Sequence, residues 1–388
     1  MRFFRNLYFF WHYYPFSVGA IWVICRAGSA RTDRLLKEMR NALSALPETV
    51  PHDIISPEKT ETKLPALKRP ERGSLYDREQ NMIDLKDTCR LALIQAEPVL
   101  FDKKACTAKA LKYVEQAKEK NAELIVFPEL FIPGYPIGMN FGFSMGKRTE
   151  EGRADWKRYY DASMVVGEPC WEQLRQAAAD AGAYVSIGFS ERDAVIGTLY
   201  NSNVIFAPDG TTWKVHRKLK PTGTERVVWG DADRAFFPVT ETPWGNVGSL
   251  ICWESYMPLA RVALYEKGIT IYISPNTNDN PEWQATIRHI AIEGKCYFIN
   301  SDMLVRRSSY PEDLKTGADL ASLPDLVCRG GSCIVDPYGH YVTEPVWDRE
   351  EMIVADLDMQ LPAACRMEHD AAGHYSRPDV LELIVHEN

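Results

Sequence analysis

Between residues 91 and 357 short apolar runs of strand length alternate with amphipathic stretches of helix length, and this alternation sets the narrowest limit on the fold. Runs rich in Val, Ile, Phe and Tyr predict strands over 91–96, 124–127, 184–189, 199–206, 247–251, 269–273, 296–300, 332–335, 341–343 and 352–357. Helices are expected over 105–120, where Leu111, Val114, Ala117 and Lys118 recur near the helical period, and over 171–181, 259–266 and 283–293. The turn Pro208-Asp209-Gly210 closes one strand. The consequence is an α/β protein whose helices cover its sheets; the alternation leaves a doubly wound sheet and a layered sandwich both open. No repeat of solenoid period occurs.

The 388 residues include 45 basic and 53 acidic ones, a net charge of -8, so the basic footprint of a nucleic-acid binder is missing. Nine scattered cysteines without a Cys-x-x-Cys pair argue against a disulfide framework and a thiolate zinc site, and favour a reducing, cytoplasmic setting. The charge balance changes sign near Met82. Through Asn81 there are 13 basic and 9 acidic residues; beyond it there are 32 and 44.

Residues 1–81 read as an atypical leader. Residues 7–25 carry no Asp, Glu, Lys or Arg and form a marginal membrane-span candidate, opposed by His12, Pro15 and basic residues on both flanks. No small-residue cleavage site marks a signal peptide, and membrane engagement is not expected. Prolines at 47, 51, 57, 65 and 70 among alternating charges predict a disordered linker. Residues 82–388 are then expected to be a single domain able to stand as a complete protein, with an upstream start-site error accounting for the leader.

In α/β sheets, chemistry gathers at the carboxyl ends of strands. Leu124-Ile125-Val126-Phe127-Pro128-Glu129 delivers a carboxylate there, and Val247-Gly248-Ser249-Leu250-Ile251-Cys252 delivers a thiol. Taken alone, a strand-end Glu is more often a solvated or capping residue, and free Cys ranks among the most buried residue types. The sequel Trp253-Glu254-Ser255-Tyr256-Met257-Pro258 places the thiol on a sharp strand-to-helix turn, where a helix N-terminus is expected to lower its pKa and make it a nucleophile. No local histidine signature of a papain-like or caspase-like enzyme accompanies it. His289 and Glu293, four apart on a predicted helix, lack a third metal ligand and read as packing residues. Trp213 to Pro221, containing His216 and Lys218, reads by itself as a solvated basic strand and turn.

Taken together, three pieces resemble the nitrilase, or carbon-nitrogen hydrolase, superfamily. They are Phe127-Pro128-Glu129 with Pro133-Gly134-Tyr135-Pro136; His216-Arg217-Lys218-Leu219 with Pro221-Thr222 and Glu225-Arg226; and Cys252-Trp253-Glu254 with Met257-Pro258. Gly330-Gly331-Ser332 and Gly373-His374-Tyr375-Ser376-Arg377-Pro378 extend the likeness, which runs from about Leu91 to Leu383. The resemblance implies a four-layer αββα sandwich, with Cys252 as nucleophile, Glu129 as general base and acid, Lys218 as the stabilising cation and Glu225 as a second glutamate positioning the lysine and substrate. It implies a small organic nitrile as substrate, no metal or organic cofactor, and a homo-oligomer, either a dimer or a larger spiral.

Trp after the nucleophile, followed by Glu-x-x-Met-Pro, resembles the nitrilase branch. An amidase or carbamoyl hydrolase would use the same triad; a membrane-linked acyltransferase and a non-catalytic scaffold are further alternatives. Tyr135, Trp253, Asn276 and Thr277 are expected to bind substrate, with Phe141, Phe143 and Trp229 as further pocket candidates. The Trp253 backbone N–H is expected to join Lys218 in an oxyanion hole. Pro275-Asn276-Thr277-Asn278-Asp279 departs from the Pro-Thr-Ala-Asp of many nitrilases, so substrate preference does not carry over.

Overall fold

The computed structural model of the protein describes residues 85–232 and 237–386. The expectations for residues 1–81, including the 7–25 segment and the linker, lie outside them. No helix among the described residues is long and apolar enough to cross a membrane.

Among the described residues, thirteen strands form two sheets. The first runs in the order β13-β1-β2-β3-β4-β5 and comprises β1 (Thr88–Gln95), β2 (Leu124–Val126), β3 (Tyr184–Arg192), β4 (Leu199–Phe206), β5 (Trp213–Arg217) and β13 (Glu351–Asp358). Strands β1, β2 and β3 are parallel; β13, β4 and β5 add antiparallel neighbours. The second sheet runs β10-β11-β9-β8-β7-β6, with β12 also paired to β11. Its strands are β6 (Val239–Thr242), β7 (Gly245–Ser249), β8 (Ile269–Asn276), β9 (Tyr297–Asp302), β10 (Leu304–Arg306), β11 (Leu326–Val335) and β12 (Tyr341–Trp347).

The two-residue period of a strand sorts side chains between layers. On β1, Leu91 and Leu93 pack with Val247, Ile271, Ile273 and Ile299 of the second sheet, whereas Ala92 and Ile94 face the helices on the other side. Those helices are α1 (Lys103–Glu119) and α3 (Pro169–Ala181). Helix α1 starts where the Asp102 side chain accepts the Ala105 N–H at 3.0 Å, and buries Cys106, Ala110, Val114 and Ala117 along one stripe. Helix α3 opens on Pro169 and ends at Gly182 in the left-handed conformation. The outer face of the second sheet, with Tyr272, Phe298 and Val335, carries α4 (Pro258–Glu266) and α5 (Trp283–Gly294). A short helix α6 (Leu361–Cys365) follows β13. The result is the αββα sandwich rather than a doubly wound sheet.

Two strands, β6 and β10, and two helices, α2 (Glu150–Ala162) and α6, exceed the expected set. Strands β6 and β10 have only four and three residues. Helix α2 carries seven charged residues, and only Gly152, Asp155, Tyr159 and Ala162 are buried, so its apolar stripe is too thin to read from spacing. The Trp213–Arg217 segment is paired with β4 instead of lying free as a solvated strand: Trp213 and Lys214 are exposed while His216 and Lys218 are buried.

Candidate active site

Glu129 lies three residues past the end of β2, in a loop drawn tightly across β3. Gly188 permits that approach: a Cβ there would lie 2.4 Å from the Pro128 carbonyl oxygen, 2.5 Å from the Leu130 nitrogen and 2.8 Å from the Glu129 Cα. The Gly188 N–H donates to Pro128 O at 3.2 Å, and Phe127 N–H to Ser186 O at 2.8 Å. Lys218 immediately follows β5, its N–H donating to Asn201 O on β4 at 2.8 Å, which turns its side chain inward. Glu225 sits in a 3₁₀ turn (Gly223–Val227), where it accepts the Thr222 N–H at 2.6 Å.

These three side chains meet in a buried cluster. Lys218 Nζ donates to Glu129 Oε1 at 2.8 Å and to Glu225 Oε2 and Oε1 at 3.0 and 3.2 Å. Asn201 Nδ2 also donates to Glu129 Oε1, at 2.7 Å, and the Tyr135 hydroxyl donates to Glu225 Oε1 at 2.6 Å. Glu129 Oε2 is buried and has no hydrogen-bond partner among the described residues. That oxygen is the cluster's open acceptor.

Burial pushes the Glu129 carboxyl above its ordinary value; Lys218 opposes this and the Glu225 charge adds to it. Burial alone would lower Lys218, but Glu129, Cys252 and Glu225 outweigh it and hold the ammonium above the usual lysine range. Burial also raises the Tyr135 phenol, with Glu225 and Glu129 reinforcing the shift.

Cys252, three residues past the end of β7, is the first residue of a 3₁₀ turn (Cys252–Tyr256) and has φ 52°, a left-handed conformation uncommon for a side-chain-bearing residue. The strand-to-helix turn is present, yet its expected effect on the thiol is overturned. Burial, then the Glu129 charge, lift the thiol well above its ordinary pKa; Lys218 and the Thr277 backbone N–H act in the opposite direction without prevailing. The helix that was expected to lower it, α4, starts only at Pro258, six residues on, while Cys252 itself is buried.

The remaining candidates divide. Thr277 presents its N–H to the thiol, and its hydroxyl oxygen is buried and unpartnered among the described residues. Asn276 is fully buried, with Nδ2 donating to Ser274 O at 2.7 Å and to Asn300 Oδ1 at 2.7 Å. Trp229 is buried 5.6 Å from the Tyr135 ring and donates from Nε1 to Ser190 Oγ at 3.0 Å. Phe141 packs in the same cluster and Phe143 against it. Trp253 is 48% exposed and its indole packs edge-on against Tyr256. His289 bonds Glu293 at 3.2 Å on α5, where Arg261 and Tyr265 also bond that carboxylate. Among the described residues no group of three or more His, Cys, Asp or Glu side chains could hold a metal.

Asn201 was not singled out from sequence. The available signal was three consecutive polar residues, Asn201-Ser202-Asn203, inside an otherwise apolar strand buried along its whole length.

A family model described as carbon-nitrogen hydrolase matches residues 90–367. The chain is similar to an aliphatic nitrilase of Sinorhizobium fredii (strain HH103), with 44% identity over 299 residues covering 77% of this chain and 96% of that one. It is also similar to a bifunctional nitrilase/nitrile hydratase of Lupinus angustifolius, 40% identical over 305 residues, covering 78% and 87%. Among solved structures, it resembles a branch 10 member of the nitrilase superfamily from Saccharomyces cerevisiae, with a TM-score of 0.60 at 21% identity over 76% of this chain and 98% of that one. The last likeness concerns the fold.

Proposed function

Because the chain belongs to the carbon-nitrogen hydrolase family, we propose that it is a nitrilase that converts an organic nitrile to the carboxylic acid and ammonia, with Cys252 as its nucleophile. The observation that carries this reading is the division of labour within one carboxylate. Glu129 Oε1 is occupied by Lys218 and Asn201, while Oε2 is open to take a proton from the Cys252 thiol with which it interacts.

The steps follow from the charges. As Sγ attacks the nitrile carbon, its proton passes to Glu129 and on to the nitrogen, so one C–N π bond is replaced by an S–C and an N–H bond, giving a thioimidate. Water adds to that carbon, Glu129 moving the protons, and the tetrahedral species carries hydroxyl, amine and sulfur. Once the nitrogen is protonated the C–N bond breaks, ammonia leaves, and a second water hydrolyses the thioester, returning the thiol. Lys218, kept protonated by two carboxylates, stabilises each developing negative charge together with the Trp253 N–H. Glu225 holds the lysine and is itself held by Tyr135. Tyr135, Asn276 and Thr277 bind the substrate.

A homo-oligomer is part of this reading. It is supported by the exposed apolar row Trp253, Tyr256, Met257 and Leu259 on the outer layer of the second sheet, Leu259 being 66% exposed. A reducing, cytoplasmic setting is supported by eight buried cysteines, all free thiols, among the described residues.

The test is a screen of aliphatic, aromatic and arylaceto nitriles and of amides, following ammonia and separating acid from amide by chromatography, with Cys252→Ala as control. Acid with equimolar ammonia, lost in Cys252→Ala, is expected. Because the lupin relative is a bifunctional nitrilase/nitrile hydratase, amide is the second product to measure. Mostly amide would make the enzyme a hydratase; hydrolysis of amides but not nitriles would move it to the amidase branch.

A further inference from the structure

One buried carboxylate outside the triad touches both halves of the site. Glu254 Oε2 accepts the Ile251 N–H at 2.8 Å, the residue immediately before the nucleophile. Glu254 Oε1 accepts the Leu219 N–H at 2.7 Å, the residue immediately after the lysine. His216, two residues before the lysine, meets Oε2 through Nε2 at 2.8 Å. The Glu254 side chain is wholly buried and His216 nearly so, with the imidazole stacked on Phe237.

Strands β5 and β7 belong to different sheets, so no backbone ladder fixes Lys218 against Cys252. We propose that Glu254 is a positioning residue which sets that separation by clamping the Cys252 turn and the Lys218 strand with one carboxylate. The proposal rests on the reading of Cys252 as nucleophile and Lys218 as its cation. An ionised carboxylate suits the task because it is acceptor-only and meets two N–H groups and an imidazole at once. Although burial disfavours its charge, His216 and the two backbone N–H groups more than compensate, and the carboxyl lies below its ordinary pKa.

An amide of the same shape cannot do this. In Glu254→Gln one oxygen becomes an NH₂ group, so whichever way the amide turns, either Ile251 or Leu219 points its N–H at a donor. One side of the site is released while the side-chain volume is kept.

The experiment compares the full chain with Glu254→Gln at one pH, measuring kcat and KM per folded molecule and the rate of Cys252 alkylation by iodoacetamide, resolved by peptide mass spectrometry. Cys296, fully buried in the outer layer of the second sheet, is the internal control for general loosening. In Glu254→Gln both kcat and Cys252 alkylation should fall about tenfold or more, the factor for one lost hydrogen bond to a charged group. KM should stay within about threefold and Cys296 should remain as protected as in the parent. A folded Glu254→Gln with Cys252 alkylation and kcat unchanged, or with Cys296 exposed to the same extent as Cys252, overturns the proposal. Should that variant fail to fold, Glu254→Asp decides, because it keeps the charge but is one methylene too short to reach both N–H groups; unchanged alkylation and kcat there also overturn it. Alkylation needs no substrate, so a parent protein that reacts normally at Cys252 but hydrolyses no nitrile would count against the nitrilase reading alone.

Discussion

Replacing Lys218 by Met removes the only cation in contact with the Glu129–Glu225 pair among the described residues while keeping most of the side-chain volume. Three contacts of 2.8, 3.0 and 3.2 Å disappear, and two buried carboxyl groups are left facing one another. Breaking a buried pair from one side costs about 3–5 kcal/mol when the remaining charge has no compensation. Here a carboxyl can shed its charge by binding a proton, and this makes the cost depend on pH. Of the influences on Glu129, burial and Glu225 raise its pKa, and the Lys218 charge that opposes them is gone in the variant, leaving chiefly the Asn201 hydrogen bond. A carboxyl whose folded pKa lies above its unfolded value binds its proton preferentially in the folded state. Stability is therefore regained as pH falls through the folded pKa, and the gain is complete below the unfolded value near 4.5. Thermal unfolding of parent and variant, followed at intervals from neutral pH downward, should show a deficit that narrows on acidification. The double variant Lys218→Met/Glu225→Gln should recover part of the loss at neutral pH. Turnover should fall about 10²-fold or more in either variant, as for loss of an oxyanion donor. A stability deficit that is constant or widens as pH falls would refute the charge balance proposed for the cluster.

Glu129→Gln keeps the shape of the acceptor but cannot take the thiol proton, so kcat should drop by about 10²–10⁴ in a folded protein; near-parental kcat would remove Glu129 from proton transfer. Gly188→Ala forces a methyl group against three backbone atoms of the Glu129 loop, and should cost about 1–3 kcal/mol as well as activity. Parental melting temperature and kcat would show that the loop yields without consequence. A chain beginning at Met82 should fold and turn over substrate as the full chain does, because the charge balance and proline density change there; loss of either property on removing residues 1–81 would place a function in the leader.

Much of the fold was legible because secondary structure follows local periodicity. The strand expected over 199–206 is β4 to the residue, and α5 differs from its expectation by one residue at its end. Glu129 and Cys252 stood out because each closely follows a strand, three residues past the ends of β2 and β7, and Lys218 and Glu225 through the family resemblance of the segment that holds them. Other features depend on partners distant in the chain. Strand β13 reaches back to pair with β1, Gln95 opposite Glu351, and short β10 exists only through its pairing with β11. Residues 213–217 carry a basic pattern that reads as solvated, and only the covering sheet buries His216 and Lys218 among carboxylates. The thiol shows the same division most clearly. Its place on a strand-to-helix turn is written in the neighbouring residues, whereas its pKa depends on how much water is excluded and on which charges the second sheet brings near, so burial and Glu129 raised a group that local geometry alone would have lowered. Sequence thus determined most of the strands and helices and which groups stand as candidates for chemistry, since these are set by side chains a few residues apart. Tertiary structure decided their separations, their burial and their protonation, because those arise from contacts between segments that the chain alone does not bring together.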